Sequence, residues 1–233
     1  MEKAYRNISY LFLLILAFAI VGFFQSYFGL FPRFQGLPAV AHLHAIGLLL
    51  WFGLLLLQPL LIRYNRIGLH RLLGKFSYFL VPYIALTVFG MARHSYRTQG
   101  ASWLLAANPP GLFFALIGLL PFLFFYALAI IYRRNTEYHM RFIIATSLPL
   151  IPPALGRFFD LRLKLGPAGA ILPPLAVLLI LVGLMIYDKV KLGRVHRAYW
   201  VALAVIILVD VSVPIIAPTH LWQSIALKIG QYL

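Results

Sequence analysis

Seven histidines are the side chains in this sequence best suited to chemistry, and they sort onto two levels of an otherwise apolar chain. His42, His44, His94 and His220 fall at one end of the apolar runs, and His70, His139 and His196 at the other. An imidazole near neutrality binds metal, ligates haem iron or carries a proton. On the first level, His44, Trp51 and Gln58 recur at seven-residue spacing, so they share one helix face, with Gly47 beside them. His42 is two residues from His44 and points about 200° away from it. Tyr83, Thr87, Gly90 and His94 make a similar polar stripe. The expectation is that His44 and His94 meet across two antiparallel helices as axial ligands of a b-type haem, with Gly47 and Gly90 admitting the flat macrocycle. The same positions also suit histidines that are simply wetted near lipid headgroups.

On the second level, His70-Arg71, His139-x-Arg141 and His196-Arg197 each open an apolar run. Three imidazoles could converge on one metal ion with Asp188 as a fourth ligand. The arginines could instead clamp haem propionates or lipid phosphates, or act as ordinary interfacial anchors. Asp210 falls inside an apolar run, and a carboxylate there is costly enough to imply a partner. Arg157 lies at similar depth and is the expected ion-pair partner. The rival role for Asp210 is a proton relay with His44 or His94.

Other chemistry is excluded. The chain has no cysteine, which removes disulfides, thiolate metal sites, iron–sulfur clusters and covalently attached haem. The phosphate-binding G-x-x-x-x-G-K-[ST], the zinc-protease H-E-x-x-H and the hydrolase G-x-S-x-G are all absent. Three Asp and two Glu are too few for a di-iron carboxylate centre.

The elements that must carry these residues follow from composition. Of 233 residues, 63% are hydrophobic and only 11% charged, whereas a soluble domain is about half apolar and a quarter charged. Lipid must therefore be the solvent for most of the surface. Seven stretches near the ~20 residues needed to cross a bilayer are predicted: 8–28, 39–62, 76–93, 110–132, 142–158, 169–187 and 198–217. The fifth carries Pro149, Pro152 and Pro153 and is expected to be bent or broken. The tail 219–233 is too short to cross and is expected on the interface. The fold class is an all-α polytopic transmembrane bundle in one domain, its first run a retained helix rather than a cleaved signal peptide.

The net charge of +15 sets orientation. Only Arg33, Arg93, Arg97, Arg157, Arg162, Lys164 and Lys228 of the 20 Lys and Arg residues fall on the side opposite the N-terminus. The positive-inside bias places the N-terminus in the cytoplasm and the C-terminus outside, in a bacterial inner membrane. Lipid headgroups, not nucleic acid, are the expected partners of this charge.

The run His44 … Trp51 … Gln58 … Arg63 … Leu69-His70-Arg71-x-x-Gly74 resembles a family of bacterial multi-pass membrane proteins of unknown function. Arg133-Arg134 … His139-Met140-Arg141 and Gly193-Arg194-Val195-His196-Arg197 carry the same resemblance. Proline follows the last histidine in many of those relatives, where this chain has Arg197. The two-level histidine arrangement also resembles bis-histidine b-type membrane cytochromes. These likenesses imply a membrane protein, with haem-based electron transport as the leading expectation. An accessory subunit packed against other membrane subunits is the second. A metal-dependent enzyme or small-solute transporter is the third.

Overall fold

The computed structural model describes residues 5–105 and 110–233, and no strand occurs among them. Lys3, counted above among the N-terminal-side cations, lies outside the described residues. Ten α-helices follow one another: α1 Ser9–Gly22, α2 Ala39–Arg63, α3 Ile67–Gln99, α4 Ala101–Leu105, α5 Gly111–Ile131, α6 Thr136–Ala145, α7 Ile151–Arg157, α8 Pro167–Leu192, α9 Arg197–Ile216 and α10 His220–Gly230.

Among the described residues, six helical stretches are long and apolar enough to cross a membrane: α2, α3, α5, the broken stretch Thr136–Leu163, α8 and α9. Their outward faces are apolar, with Phe79 77% and Val190 72% exposed. Apolar exposure on that scale marks a surface made for lipid. The bundle interior is closed by large side chains from most helices, including Trp51, Phe122, Phe125, Leu148, Leu181 and Tyr199.

The expected first span is the shortest. Its regular helix has 14 residues, about 21 Å at 1.5 Å per residue, against a hydrocarbon core of about 30 Å. Its flanks extend the run along α2. Ser9 Oγ donates to the Leu56 carbonyl, and Tyr27 Oη bonds His42 Nδ1 at 3.0 Å. The segment from Ser9 to Tyr27 thus runs antiparallel to α2 from Leu56 to His42.

Two helix boundaries differ from the sequence reading. Helix α3 starts at Ile67 rather than near 76, so His70 lies in its first turn and not in a loop. Hydropathy drops at the bilayer edge, but backbone hydrogen bonding does not. The fifth span starts at Asn135, whose side chain caps α6 by accepting from the Glu137 and Tyr138 N–H groups. It then breaks as expected, with a 3-10 turn at Leu148–Leu150 between α6 and α7. Pro149 cannot donate within the helix, and Pro152 and Pro153 fall in the first turn of α7, where a missing N–H is tolerated. Thr146 and Ser147 hydroxyls donate to the Ile143 and Ile144 carbonyls beside the break. The tail forms α10, which packs on α4 and α5 around Leu104, Leu112 and Ala226.

Close helix contact is built on glycine at Gly22, where an added Cβ would sit 2.1 Å from the Ala154 carbonyl oxygen. Gly22→Leu should destabilise the bundle by at least the ~1–3 kcal/mol of an overpacked site. Gly53→Ala, with nothing within 4 Å of the added carbon, should be neutral or slightly stabilising. Apparent melting temperatures of both variants in detergent check this. Equal losses would show that the α1–α7 contact is not as tight as described.

Candidate functional site

Five segments meet at one buried ion pair. Arg141 on α6 and Asp188 on α8 are both 0% exposed. Arg141 Nε donates to Asp188 Oδ2 at 2.9 Å and Nη2 to Oδ1 at 2.8 Å, a bidentate fork. Arg141 Nη1 donates to the Glu137 carbonyl at 3.0 Å. Tyr5 Oη donates to Asp188 Oδ1, and the His196 backbone N–H to Oδ2 at 3.2 Å. Tyr199 Oη donates to Tyr5 Oη at 3.0 Å, and the guanidinium lies over both tyrosine rings, 5.1 and 5.7 Å from their centroids. Burial first, then the neighbouring Tyr199 and Asp188, raises the Tyr5 phenol well above its ordinary value, so Tyr5 stays a proton donor.

His196 belongs to this hub. Its Nδ1 accepts from the Ala198 N–H at 3.2 Å, so in the neutral ring the proton sits on Nε2, which lies 3.4 Å from Glu137 Oε2. Asp188 is saturated by Arg141, Tyr5 and the His196 backbone. Among the described residues no three His, Cys, Asp or Glu side chains are placed to hold a metal ion. The expected set of His70, His139, His196 and Asp188 is therefore not assembled. Asp188 and His196 work in the hub, while His70 and His139 face a separate cavity.

That cavity, about 680 Å³, opens at the same end of the bundle between α1, α2, α3, α5 and α6. Its volume lies in the range of small-molecule sites. Trp51, Leu54 and Gln58 of α2, Phe12 of α1 and Ile144 of α6 line its interior, and His70 of α3 and His139 of α6 line it as well. Exposed Arg71, Lys75, Arg133 and Arg134 also line it and form its mouth. From Ile62 to Trp51 it follows 11 residues of α2, roughly 16 Å at 1.5 Å per residue, about half the hydrocarbon thickness.

The polar atoms on its wall decide its character. Trp51 Nε1, Gln58 Oε1 and His70 Nδ1 are all buried without a hydrogen-bond partner, and Trp51 is only 2% exposed. His139 Nδ1 lies 2.7 Å from the Ala129 carbonyl. A carbonyl can only accept, so this nitrogen carries a proton and the neutral ring keeps its lone pair on Nε2. The cavity therefore presents a donor in Trp51, an acceptor in Gln58 and two imidazoles.

No contact brings His44 and His94 together among the described residues. Thr87 Oγ1 donates to the Ile84 carbonyl at 2.7 Å, so its 3.0 Å contact with His44 Nδ1 has the imidazole as donor. His44 is thus level with Thr87. His94 lies seven residues further along α3, about 10 Å away along the axis. The glycines leave no slot either. A Cβ on Gly47 would meet Tyr83 at 2.9 Å, and one on Gly90 would meet Val40 at 2.7 Å. The residues do not fit a macrocycle between α2 and α3.

The expected Asp210–Arg157 pair is likewise absent. Asp210 Oδ2 is buried without a partner, and the Arg157 guanidinium stacks 5.0 Å from the Phe23 ring centroid. Sequence reasoning missed Tyr5, Tyr199 and the pairing of Arg141 with Asp188. The available signal was a lone acid at the end of span six and an arginine opening span five on the same side. No protein-family model matches the chain, and no curated protein or solved structure matches it either. Function must therefore come from geometry.

The hub generates two outcomes. Asp188→Leu or Arg141→Met alone strands a buried charge and should lower the apparent melting temperature by about 10 °C or more, from a ~3–5 kcal/mol loss. The double variant should recover much of it, and purely additive losses would contradict the pairing. Tyr5 gives the pH test. Its folded pKa is raised, so its stabilising effect is complete below the unfolded value near 10 and declines as pH rises beyond it. Between about pH 9 and 11 the wild type should lose more stability than Tyr5→Phe, and parallel pH curves would refute the buried phenol.

Proposed function

We propose that this chain is a seven-pass protein of a bacterial cytoplasmic membrane that binds an amphiphilic small molecule in the cavity between α2, α3 and α6. The observation that carries the reading is the set of three orphaned polar atoms, Trp51 Nε1, Gln58 Oε1 and His70 Nδ1, on the wall of one cavity. Buried polar groups normally find partners, and orphans call for a functional reason. Water can occupy such a cavity and take these bonds, and a ligand that displaces it must return them. The ligand therefore carries oxygen functions, a carbonyl or ether oxygen for the Trp51 N–H and a hydroxyl for Gln58, on an otherwise apolar body that fits Phe12, Leu54 and Ile144.

The cavity end is assigned to the cytoplasm on the charge bias, which puts 13 of 20 Lys and Arg residues there. A seventh pass through α1 is supported by its antiparallel run along α2 from Leu56 to His42. His139, held by the Ala129 carbonyl and turned into the cavity, is oriented as a proton acceptor for a ligand hydroxyl.

Gly74 offers a direct test, since an added Cβ there would meet only Gln58 Nε2 at 3.9 Å. Native mass spectrometry of gently released wild type should show a retained small molecule. Gly74→Phe, which fills the cavity, should lose it without a fall in melting temperature, and Gln58→Leu should retain less. Identical bound masses in all three proteins would place the retained molecule elsewhere and end the reading.

A further inference from the structure

The mouth of the cavity differs chemically from its interior, and the difference names the ligand's head. Arg71, Lys75, Arg133 and Arg134 line it, and among the described residues no carboxylate does. Among the described residues none of these four takes part in an ion pair. The one hydrogen bond that any of their side chains makes there is from Arg133 Nη1 to the carbonyl of Ile130, one turn back. The acid nearest in sequence, Glu137, faces away and meets Arg194 and His196. Arg63 and Arg66 sit in the same α2–α3 connection but off the cavity wall, so this charge is not only the general basic fringe of a membrane protein. Beneath the four cations lie His70 and then the fully enclosed, unpartnered indole N–H of Trp51.

Resting on the cavity reading above, we propose that the ligand's head is a phosphate group, held at the mouth by Arg71, Lys75, Arg133 and Arg134, with its apolar stem running inward toward Trp51. The choice of phosphate follows from charge and shape. Four cations on one mouth, with no acid among the described residues lining it, favour a multiply charged anion. Three arginine forks offer planar pairs of donors that match adjacent phosphate oxygens. The interior length of roughly 16 Å suits a single chain entering from the headgroup level and ending near the bilayer midplane. A lipid phosphate and free inorganic phosphate share this head chemistry, and the stem distinguishes them.

The test uses the full-length protein with Trp103, Trp200 and Trp222 replaced by Phe, leaving Trp51 as the reporter. Terminally brominated dodecyl phosphate should quench Trp51 with high affinity, and brominated dodecanol should bind at least about tenfold more weakly, as charge-assisted hydrogen bonds are lost. Arg71→Gln and Arg134→Gln should each weaken dodecyl phosphate about tenfold and leave dodecanol unchanged. Arg63→Gln and Arg66→Gln, which remove equal charge beside the cavity, should leave both unchanged. Inorganic phosphate that competes at the same concentration as dodecyl phosphate would assign the site to the free anion, and competition only at far higher concentration to the lipid head.

Equal affinity for the phosphate and the alcohol, or equal losses from the on-cavity and off-cavity arginine variants, would overturn the phosphate assignment and leave the cavity reading standing. Quenching by neither probe, or quenching that survives Gly74→Phe, would overturn the cavity reading itself.

Discussion

The buried Arg141–Asp188 pair is the constraint on which the basic end of this bundle depends. Two charges removed from water are tolerated only when every lone pair and proton is met. Here the carboxylate receives donors on both oxygens, from the guanidinium fork, the Tyr5 hydroxyl and the His196 backbone. Meeting that demand fixes the N-terminal segment, α6, α8 and the start of α9 against one another. It also fixes how α6 is turned about its axis. Residues two apart on a helix point about 200° apart. With Arg141 held toward α8 and α9, His139 must face α3 and α5, and it lines the cavity with Met140, Ile143 and Ile144. The ion pair does not touch the cavity, yet it decides which α6 side chains form the wall.

The opposite wall is set by how α2 and α3 separate. Away from the cavity they are zipped together, with Gly47 against Tyr83 and Ile84 and Gly90 against Val40. Toward the cavity the packing opens, and a Cβ added at Gly74 would meet only the Gln58 amide, at 3.9 Å. The glycines that suggested room for a cofactor therefore work in reverse, since they let one half of the pair close and so leave the space in the other half. The stripe of His44, Trp51 and Gln58 is continuous in sequence but crosses this boundary. His44 is consumed by Thr87 in the closed half, while Trp51 and Gln58 face the open half without partners.

This boundary explains how much was legible in the sequence. The all-helical, membrane-spanning character and the break at Pro149, Pro152 and Pro153 follow from hydropathy and from the missing N–H groups, both local properties. The grouping of Trp51 and Gln58 on one face follows from helical periodicity, and His70 and His139, read onto one level, line one cavity. Which groups then meet is a matter of register and axial rotation between helices. A shift of two turns separates His94 from the level of Thr87, where His44 bonds, by about 10 Å. The chemistry of imidazole drew attention to metals and haem. The phenols of Tyr5 and Tyr199 entered no candidate site in the sequence, yet they complete the buried ion-pair hub. The same bias separated Arg141 from Asp188, each of which was assigned to a ligand rather than to the other.

The scarcity of acids ties these features together. Four acidic residues lie in the described segments, and two are at the basic end. Asp188 is committed to Arg141, and Glu137 to Arg194 and His196. Asp210 lies 14 residues along α9 from His196, some 20 Å toward the other face, and Asp160 follows α7 beside Gly169. Among the described residues no acid remains for the cations at the cavity mouth. In water such an excess is screened within about 10 Å. At the lip of a low-dielectric cavity it is screened far less, and the uncompensated field points inward along the slot. The two described carboxylates at this end are committed to helix contacts, and the cations at the cavity mouth are left without an acid among the described residues.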